Sequence, residues 1–468
     1  MSHLIVHGGR PLRGDVAPSA NKNAVLPILC ATLLTDEPVV LHRVPDITDV
    51  GKLLAFFRAL GSSVDMDFAT GTLKLCHGSR IDAGGARLPA GMRSSIMLMP
   101  ALLHRFGRAR LEDDVTGCTL GVREIDPHID VFLAFGAEVT LQPRAVEIRA
   151  PRRFAASDHW LDYASVTTTE NFILCAAVAR GRSRLVNAAC EPHVQEFCTF
   201  LGLMGARIAG NASSRLDVEG VDALGGAEYT FADDFHEVAT FLALSAITGG
   251  DVVVRNGASA QFPLLDRTFA KFGVELEHRD GFSRAHAPAS LKIRPPLTAT
   301  MMQKVEAAPW PYVPADLLPI FVALGVRAEG SVMFWNKVYE GALGWSAELA
   351  RFGADTSLLD PHRLVVHGGK PLVPATVESP YIIRVAIALF MLAASIEGRS
   401  TILNALPIRR AHPRFVDNLN ALGAAVQWTT DDRGEAAATS ERAMNVAERT
   451  SSLTKLMPAS SASAAMSP

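Results

Sequence analysis

The sequence predicts an α/β protein of two lobes, each made of three copies of one repeated unit. Six times an apolar, helix-like run ends at a glycine that is followed within a few residues by a β-forming residue, at separations of 68 to 80 residues. A glycine after the last apolar position supplies the left-handed conformation that ends a helix, and the β-formers begin a strand. A period of about 70 residues is too long for a solenoid repeat and fits a small subdomain. The glycines are Gly61, Gly136, Gly205, Gly273, Gly353 and Gly423.

The third unit shows how each copy is built. Residues 170–188 contain an apolar helix pattern, a glycine and a strand pattern, and residues 191–210 repeat that order around Gly205. The same order recurs at 320–358 and 383–428. We therefore predict three units per lobe, with helices packed inside and sheets facing out.

A second repeated motif predicts that the first strand belongs to the second lobe. The phrase LIVHGGRPL at 4–12 is nearly copied by LVVHGGKPL at 364–372, so the N-terminal segment is expected to complete a lobe made of late sequence. We place the first lobe at 21–232 and the second at 1–20 plus 233–430, with a cleft between them. Residues 431–468 contain few bulky apolar residues and are predicted to be a disordered tail.

Composition narrows the function classes. The chain has 468 residues, 49% of them hydrophobic, and a net charge of −3, which gives no reason to expect nucleic-acid or membrane binding. The start lacks a secretory signal pattern, and the cysteines show no CxxC pairing for zinc or disulfides. GxxxxGK[ST], a strand-linked GxGxxG and HEXXH are absent. We expect a cytoplasmic protein without a metal, as a monomer or weak oligomer.

Two polar residues stand in unusual settings. Lys22 lies in a polar break before a long apolar helix, where a cation and backbone N–H groups make an anion site; a surface lysine beside the helix cap is the alternative. Cys118 lies between Gly117 and Gly121 with Arg123 nearby, which favours an accessible thiol of lowered pKa. The alternative is a buried cysteine acting as a small apolar residue, as we expect for those in apolar helices.

Asp316 and three arginines complete the candidates. Asp316 follows a proline-rich loop at a predicted helix start, and is either a capping carboxylate or a general base facing the cleft. Arg93, Arg384 and Arg410 each interrupt an apolar stretch. An arginine embedded in this way needs an anion, which is either a structural carboxylate or a ligand.

Together these segments resemble the enolpyruvyl transferases, above all the UDP-N-acetylglucosamine enolpyruvyl transferases of cell-wall synthesis. The resemblance covers about residues 4–428. Its motifs are ANKNAVLPILCATLL, GMRSSIMLMPALLHRFG, GCTLGVREIDPHI, SVTTTEN, VPAD and RRAHPRFVDNLNALGA. The resemblance implies two inside-out α/β-barrel lobes, each of three βαβαββ-type units, with the active site in the cleft between them.

The resemblance also implies a reaction. Such enzymes move the enolpyruvyl group of phosphoenolpyruvate onto an acceptor hydroxyl by addition and then elimination of phosphate, without a metal or organic cofactor. Cys118 would protonate the methylene carbon and Asp316 would take the proton of the acceptor hydroxyl. Fosfomycin alkylates the corresponding thiol in the family, and the GCTLG loop counts against the shikimate-3-phosphate branch.

The substrate contacts follow from the same resemblance. Phosphoenolpyruvate would be bound by Lys22, Arg93, Arg123, Lys337, Arg384 and Arg410, with Lys22, Arg123 and Arg410 on the phosphate and Arg384 and Lys337 near the carboxylate. The nucleotide would be bound by Asn23, Arg123, Glu124, Ile125, Asp126, His128, Ser165, Val166 and Thr167. Lys22 would also take part in catalysis.

Departures from the sugar-nucleotide pattern point to a smaller acceptor. They are Glu124 for Pro, Tyr163 for Lys, Thr167 for Gly, Phe235 for Arg, Lys337 for Arg and Ile382 for Asp. Because the stretches that bracket uridine stay recognisable, we expect a uridine nucleotide, and UMP before UDP-N-acetylglucosamine. The sequence is similar to the enzymes of nikkomycin and polyoxin biosynthesis, which enolpyruvylate the 3′-hydroxyl of UMP. A cell-wall transferase with altered surroundings and a non-catalytic nucleotide-binding relative are the alternatives.

Overall fold

The structure is a computed structural model that describes residues 2–82, 88–89, 91–112, 124–143, 145–298 and 300–430, with the backbone alone for Arg93 and Thr430. Two of the predicted catalytic-loop residues, Cys118 and Arg123, lie outside the described residues, as does the predicted tail at 431–468. In the described ranges, no helix is both long and apolar enough to cross a membrane.

Short strands alternate with helices along the chain. The strands are β1 Ser2–Gly8, β2 Arg13–Val16, β3 Val39–His42, β4 Ser63–Asp67, β5 Thr72–Cys76, β6 Arg108–Glu112, β7 Glu138–Gln142, β8 Ala145–Arg149, β9 Asp158–Trp160, β10 Arg182–Val186, β11 Arg207–Ala209, β12 Arg215–Glu219, β13 Glu228–Thr230, β14 Asp251–Arg255, β15 Glu275–Arg279, β16 Phe282–His286, β17 Gln303–Ala307, β18 Gly330–Asn336, β19 Asp355–Asp360, β20 Arg363–Gly368, β21 Thr376–Glu378, β22 Gly398–Leu403 and β23 Ala425–Thr430. The α-helices are α1 Lys22–Thr32, α2 Thr48–Ala59, α3 Met99–Phe106, α4 Asp126–Ala134, α5 Val166–Ala177, α6 Pro192–Leu203, α7 Phe235–Thr248, α8 Pro263–Ala270, α9 Leu318–Arg327, α10 Ile383–Ser395, α11 Leu406–Ala411 and α12 Phe415–Ala421. 3₁₀-helices span Arg93–Leu98, Ser259–Gln261, Ala315–Leu317 and Gly344–Phe352.

The strands of the described chain form six sheets, one for each predicted unit. Five have four strands, and their orders are β13-β3-β5-β4, β11-β12-β10-β9, β15-β16-β14-β2, β17-β18-β20-β19 and β21-β22-β1-β23; the sixth is β6-β8-β7. In the fifth unit, for example, β17 and β18 pair in parallel across α9, and β18, β20 and β19 then pair antiparallel. The predicted βαβαββ repeat in inside-out lobes is therefore confirmed.

The six repeated glycines end helices as predicted. Their φ angles lie between 79° and 100°, the left-handed region in which a side chain is strained. Each is followed by the strand that leads away from its helix, as Gly61 leads from α2 to β4 and Gly423 from α12 to β23.

The repeated HGG motif lies at equivalent positions in two units. At each position the end of a strand passes close to the end of a central helix. β1 lies between β22 and β23, so the first strand pairs with the last ones. Gly8 at its end runs against the last carbonyl groups of α10, where a Cβ would meet the oxygens of Ala393 and Ile396. Gly368 at the end of β20 runs in the same way against the oxygens of Gly325 and Ala328 at the end of α9.

Buried side chains form two hydrophobic cores. One gathers apolar residues between Ala20 and Phe231, and the other gathers residues from Leu4 to Leu12 and from Phe235 to Val426. In the second core α7, α9 and α10 contact one another and are buried along nearly their whole length, so the sheets lie outside. The lobe boundaries at 20/21 and 232/233 stay predictions.

The chain passes between the cores twice, at adjacent points. Ala20 bridges Asp233, the Asn21 amide donates to the Ala232 carbonyl at 2.9 Å, and the Asp234 amide donates to the Ser19 carbonyl at 2.9 Å. Helices α1 and α7 start directly after these crossings, so their first residues lie at the junction of the two cores.

Candidate active site

Lys22 is the first residue of α1, at the junction. Its Nζ donates to the Asn23 side chain at 3.1 Å. The preceding Asn21 is buried and donates from Nδ2 to Glu196 Oε2 at 3.0 Å, which fixes the start of the helix. The lysine therefore stands at a helix start, as the sequence predicted, with the electrostatic preference for anions that such a position carries.

Asp316 lies in the 3₁₀-turn that precedes α9, at the end of the loop 308–316. The residues at the cap positions are Pro314 and Leu317, so Asp316 is not the capping residue considered in the sequence. The loop is attached to the other core at Trp310. Its amide donates to Glu191 Oε1 at 3.3 Å, and its carbonyl accepts from Cys190 Sγ at 3.5 Å. These contacts hold the Asp316 loop against the start of α6.

Arg410, on α11, connects the two cores directly. Its Nη2 lies 2.9 Å from Asp49 Oδ1 in the first turn of α2, and its Nη1 donates to the Tyr381 hydroxyl at 3.1 Å. Burial works against the charged form, but the Tyr381 hydroxyl and the Asp49 carboxylate raise the pKa of Arg410 overall. The arginine is thus held as a cation between α2 and α11.

The two predicted carboxylate ligands occupy different surroundings. Arg384 is 5% exposed inside α10, and it donates weakly to Thr240 Oγ1 at 3.5 Å. Lys337 follows β18, forms a 2.7 Å ion pair with Glu306 and lies 4.3 Å from the centroid of Trp335. Arg384 shares its environment with Lys22, because the charges of both act on His412, whereas Lys337 is engaged in its own sheet.

The two predicted nucleotide-binding stretches lie side by side. Glu124 and Ile125 precede α4, while Ser165 is the N-cap of α5 and its hydroxyl accepts from the Thr168 amide at 3.4 Å. His128 joins them, with Nε2 at 3.3 Å from Thr167 Oγ1 and Nδ1 at 2.9 Å from the Asn171 amide nitrogen. Both ring nitrogens of His128 therefore contact side chains of α5. These contacts hold the first turns of α4 and α5 together. Asp126 and Val166 are the first residues of these two helices.

A cavity of about 280 Å³ opens beside these stretches. Pro127 and Asp130 of α4 line it together with Trp160 and Tyr163, and the Tyr163 hydroxyl lies 3.5 Å from Glu124 Oε1. The aromatic side chains are 71% and 47% exposed. The cavity is lined by residues next to the predicted nucleotide contacts rather than by Lys22 or Asp316.

The sequence analysis did not predict a group of buried polar side chains at the junction. We call it the junction cluster; its members are Glu191, His193, Asp234, His236, Glu237 and His412. They come from the start of α6, the start of α7 and the end of α11, and all except Glu191 are at most 5% exposed. The signal was polar residues directly beside apolar helical runs, in EPHVQEF, DDFHEVATF and RRAHPRF.

Charges in the junction cluster are strongly perturbed. Burial and the neighbouring Asp234 raise the pKa of Glu237 to about 7. Burial lowers the pKa of His193 and of His412 to about 3 in each case, so both are neutral at physiological pH. Burial would raise the pKa of Asp234, but its contact with His236 and the charge of Arg384 lower it below the usual range.

Asp316 acts electrostatically on the same cluster. Burial raises the pKa of Glu191, and the negative charge of Asp316 adds to the increase. The structure thus brings Lys22, Asp316 and Arg384 around the junction cluster. No group of His, Cys, Asp and Glu in the described ranges has an arrangement suited to a metal ion.

Family and sequence comparisons agree on a common ancestry. The family model described as EPSP synthase (3-phosphoshikimate 1-carboxyvinyltransferase) matches residues 6–419. The UDP-N-acetylglucosamine 1-carboxyvinyltransferase of Borreliella burgdorferi is 33% identical over 429 residues, which cover 91% of this chain and 99% of that protein. The protein of the same name from Bradyrhizobium diazoefficiens is 35% identical over 425 residues, or 90% of this chain and 97% of that protein.

Solved structures show the same architecture. The enolpyruvyl transferase NikO from Streptomyces tendae superposes with a TM-score of 0.80 and 25% identity, covering 92% of this chain and 99% of NikO. EPSP synthase from Acinetobacter baumannii gives a TM-score of 0.69 at 17% identity, covering 92% of this chain and all of that one, which supports the fold alone. The chain therefore belongs to the enolpyruvyl transferases, the enzymes that transfer the 1-carboxyvinyl group of phosphoenolpyruvate to an acceptor.

Proposed function

We propose that the protein transfers the enolpyruvyl group to the 3′-hydroxyl of UMP, in nucleoside antibiotic biosynthesis. The observation that carries the proposal is the packing at two positions where the sugar-nucleotide enzymes have charged residues. Phe235 is 1% exposed and packs against His236 in a tilted arrangement, with 4.0 Å between ring centroids, and against the Trp310 ring edge-on at 6.1 Å. Ile382 is 7% exposed and belongs to the second hydrophobic core. Neither position offers a charge to a diphosphate sugar.

Similarity to NikO over nearly the whole chain supports the same choice. The paired first turns of α4 and α5, with the cavity beside Tyr163, offer the proposed uridine nucleotide an aromatic surface and backbone N–H groups. Tyr163 stands where the sugar-nucleotide enzymes carry a lysine, so the second phosphate of a diphosphate has no ammonium partner at this position.

The proposed reaction assigns roles by charge. Lys22, Arg123 and Arg410 hold the phosphate of phosphoenolpyruvate, Arg384 and Lys337 lie near its carboxylate, and Arg93 adds a further cation. Cys118 protonates the methylene carbon, which makes the neighbouring carbon electrophilic. Asp316 takes the proton from the acceptor hydroxyl as the new C–O bond forms. Loss of a proton from the methyl carbon and departure of phosphate then regenerate the double bond.

UDP-N-acetylglucosamine is the second candidate acceptor, because curated relatives with 33–35% identity carry that substrate in their names. Phosphate release from phosphoenolpyruvate, measured with each nucleotide separately, distinguishes the two. Turnover with UMP and little with UDP-N-acetylglucosamine supports the proposal, and the reverse result refutes it. The variant Asp316→Asn serves as the matched control, because it should lose turnover with either acceptor.

A further inference from the structure

Arg410 has an aromatic partner in the turn before α10. Its Nη1 donates to the Tyr381 hydroxyl at 3.1 Å, and its guanidinium carbon lies 5.9 Å from the centroid of the Tyr381 ring. The phenol therefore contacts the arginine in two ways, as a hydrogen-bond acceptor and as an aromatic surface for a cation. Two contacts of different geometry restrict both the position and the rotation of the planar guanidinium.

The turn that carries Tyr381 is itself fixed. Ser379 is 1% exposed, its amide donates to the Leu403 carbonyl at 3.0 Å, and its hydroxyl donates to the Pro380 carbonyl at 2.9 Å. Ile382, which follows Tyr381, is 7% exposed and packs in the second core. Because its neighbours on both sides are buried and bonded, the Tyr381 backbone is a firm support for a side chain that orients another group.

The neighbouring arginine of α11 contacts a different ring. The guanidinium carbon of Arg409 lies 6.0 Å from the centroid of the Trp428 ring, and its side chain is exposed. Arg410 is half-buried and also reaches the first core, where its Nη2 donates to Asp49 Oδ1 at 2.9 Å. The two adjacent cations therefore differ in their aromatic partners, which makes Arg409 a matched comparison for Arg410.

Tyr381 holds Arg410 without neutralising its charge. A phenol hydroxyl is a neutral acceptor, whereas a carboxylate partner such as Asp49 competes with a phosphate for the positive charge. The first turn of α10 contains no acidic residue, and position 382 is isoleucine where the sugar-nucleotide enzymes have aspartate. The start of α10 thus orients the arginine and adds no negative charge beside it.

The remaining donors of Arg410 suit a phosphate. A guanidinium has five N–H groups. Within the described part of the chain, two of them are used, one on Tyr381 and one on Asp49. Because these two contacts fix the plane of the guanidinium, the other N–H groups are presented in a set direction, which bidentate recognition of a phosphate requires.

We propose that Tyr381 is a positioning residue that orients Arg410 for the phosphate of phosphoenolpyruvate. The hydroxyl acts through the arginine rather than on the reacting atoms. Without it the guanidinium is free to rotate, and fixing it again on binding lowers the affinity for the phosphate. The inference rests on the proposed role of Arg410 as a phosphate ligand.

The test is a double-mutant cycle. Tyr381→Phe removes the hydroxyl and keeps the ring of a partly exposed side chain, so the fold should be unchanged. The substitution is measured alone, with Arg410→Ala and with Arg409→Ala, by steady-state kinetics with whichever nucleotide the unmodified protein turns over. The combination with Arg409→Ala is the matched control, because it removes the adjacent cation of α11 that contacts Trp428 instead.

We expect Tyr381→Phe to raise KM for phosphoenolpyruvate by about three- to tenfold, with KM for the nucleotide within about twofold. The same rise should appear in the Arg409→Ala background. It should fall below about twofold in the Arg410→Ala background, because the hydroxyl then has no guanidinium to orient. A rise of equal size in both backgrounds would overturn the proposal, since the hydroxyl would then act independently of Arg410.

Two further results separate the possible failures. If Arg410→Ala leaves KM for phosphoenolpyruvate unchanged, the phosphate role of Arg410 fails and the positioning role of Tyr381 fails with it. If Arg410→Ala raises that KM while Tyr381→Phe changes it by less than about twofold, the positioning role alone is refuted. Both readouts concern phosphoenolpyruvate, so they are distinct from the choice between UMP and UDP-N-acetylglucosamine as the acceptor.

Discussion

Replacing Glu237 with glutamine should change the pH dependence of stability. Glu237 is 2% exposed, and its Oε2 accepts from the Ser19 amide at 2.5 Å. Burial, and then Asp234, raise the pKa of this carboxyl to about 7 from 4.5. The folded protein therefore binds the proton more tightly than the unfolded chain, so stability falls as the pH rises from about 4.5 and levels off above about 7.

The size of the effect follows from linkage. With those two pKa values, ionisation of Glu237 removes roughly 2 to 3 kcal/mol of unfolding free energy between pH 5 and pH 8. A glutamine side chain cannot ionise, so Glu237→Gln should lack this contribution and become more stable at pH 8 relative to the unmodified protein than at pH 5. The glutamine oxygen can still accept from the Ser19 amide, so the fold should survive.

Urea denaturation at pH 5, 6, 7 and 8 measures the difference. The control is Glu219→Gln, since Glu219 is exposed on β12 and this variant makes the same carboxylate-to-amide change without a buried side chain. If the unfolding free energies of the unmodified protein and of Glu237→Gln change in parallel from pH 5 to pH 8, the raised pKa of the buried Glu237 is refuted.

Three other predictions concern the loop thiol, the substrate cations and the repeat. Fosfomycin should add covalently to Cys118 by mass spectrometry, and Cys118→Ser should prevent the addition and lower turnover at least tenfold; an unmodified rate in Cys118→Ser contradicts the acid role. Arg410→Ala should raise KM for phosphoenolpyruvate by about tenfold or more with a smaller effect on the nucleotide, as steady-state kinetics would show, because a cation on the phosphate is lost; equal effects on both substrates would contradict that position. Gly368→Ala should lower the unfolding free energy by about 2 to 3 kcal/mol, because its Cβ would meet carbonyl oxygens at the end of α9. Gly51→Ala, at an open position in α2, should be neutral or stabilising in the same denaturation experiment, and equal losses in the two variants would refute the steric reason.

The repeat was predictable because it rests on local chemistry. A left-handed residue that ends a helix needs glycine, so the six glycines could be recognised without any tertiary information. The repeated HGG motif was informative for a related reason. Gly8 and Gly368 both pass close to the carbonyl oxygens at the end of a central helix. Both patterns consist of glycines, and at these positions any other residue would destabilise the fold.

The junction cluster was not predictable in the same way. Glu191, His236 and His412 lie far apart in the sequence, and each alone is typical of a helix end. Only the tertiary fold, in which the chain crosses twice between the cores, brings them together and buries His236 and His412. The sequence identifies Asp316 as a candidate, but it does not show whether Asp316 caps the helix. The structure excludes that capping role, because Asp316 lies inside the 3₁₀-turn that precedes α9.

The most direct test of the proposed acceptor is a competition in one reaction. The protein is incubated with phosphoenolpyruvate and equal concentrations of UMP and UDP-N-acetylglucosamine, and the two carboxyvinyl products are quantified by mass spectrometry at low conversion. Their ratio gives the ratio of kcat/KM for the two acceptors, which measures discrimination directly. We predict that enolpyruvyl-UMP predominates by at least about tenfold, a difference of about 1.4 kcal/mol in transition-state stabilisation. Predominance of the UDP-N-acetylglucosamine product would contradict the assignment.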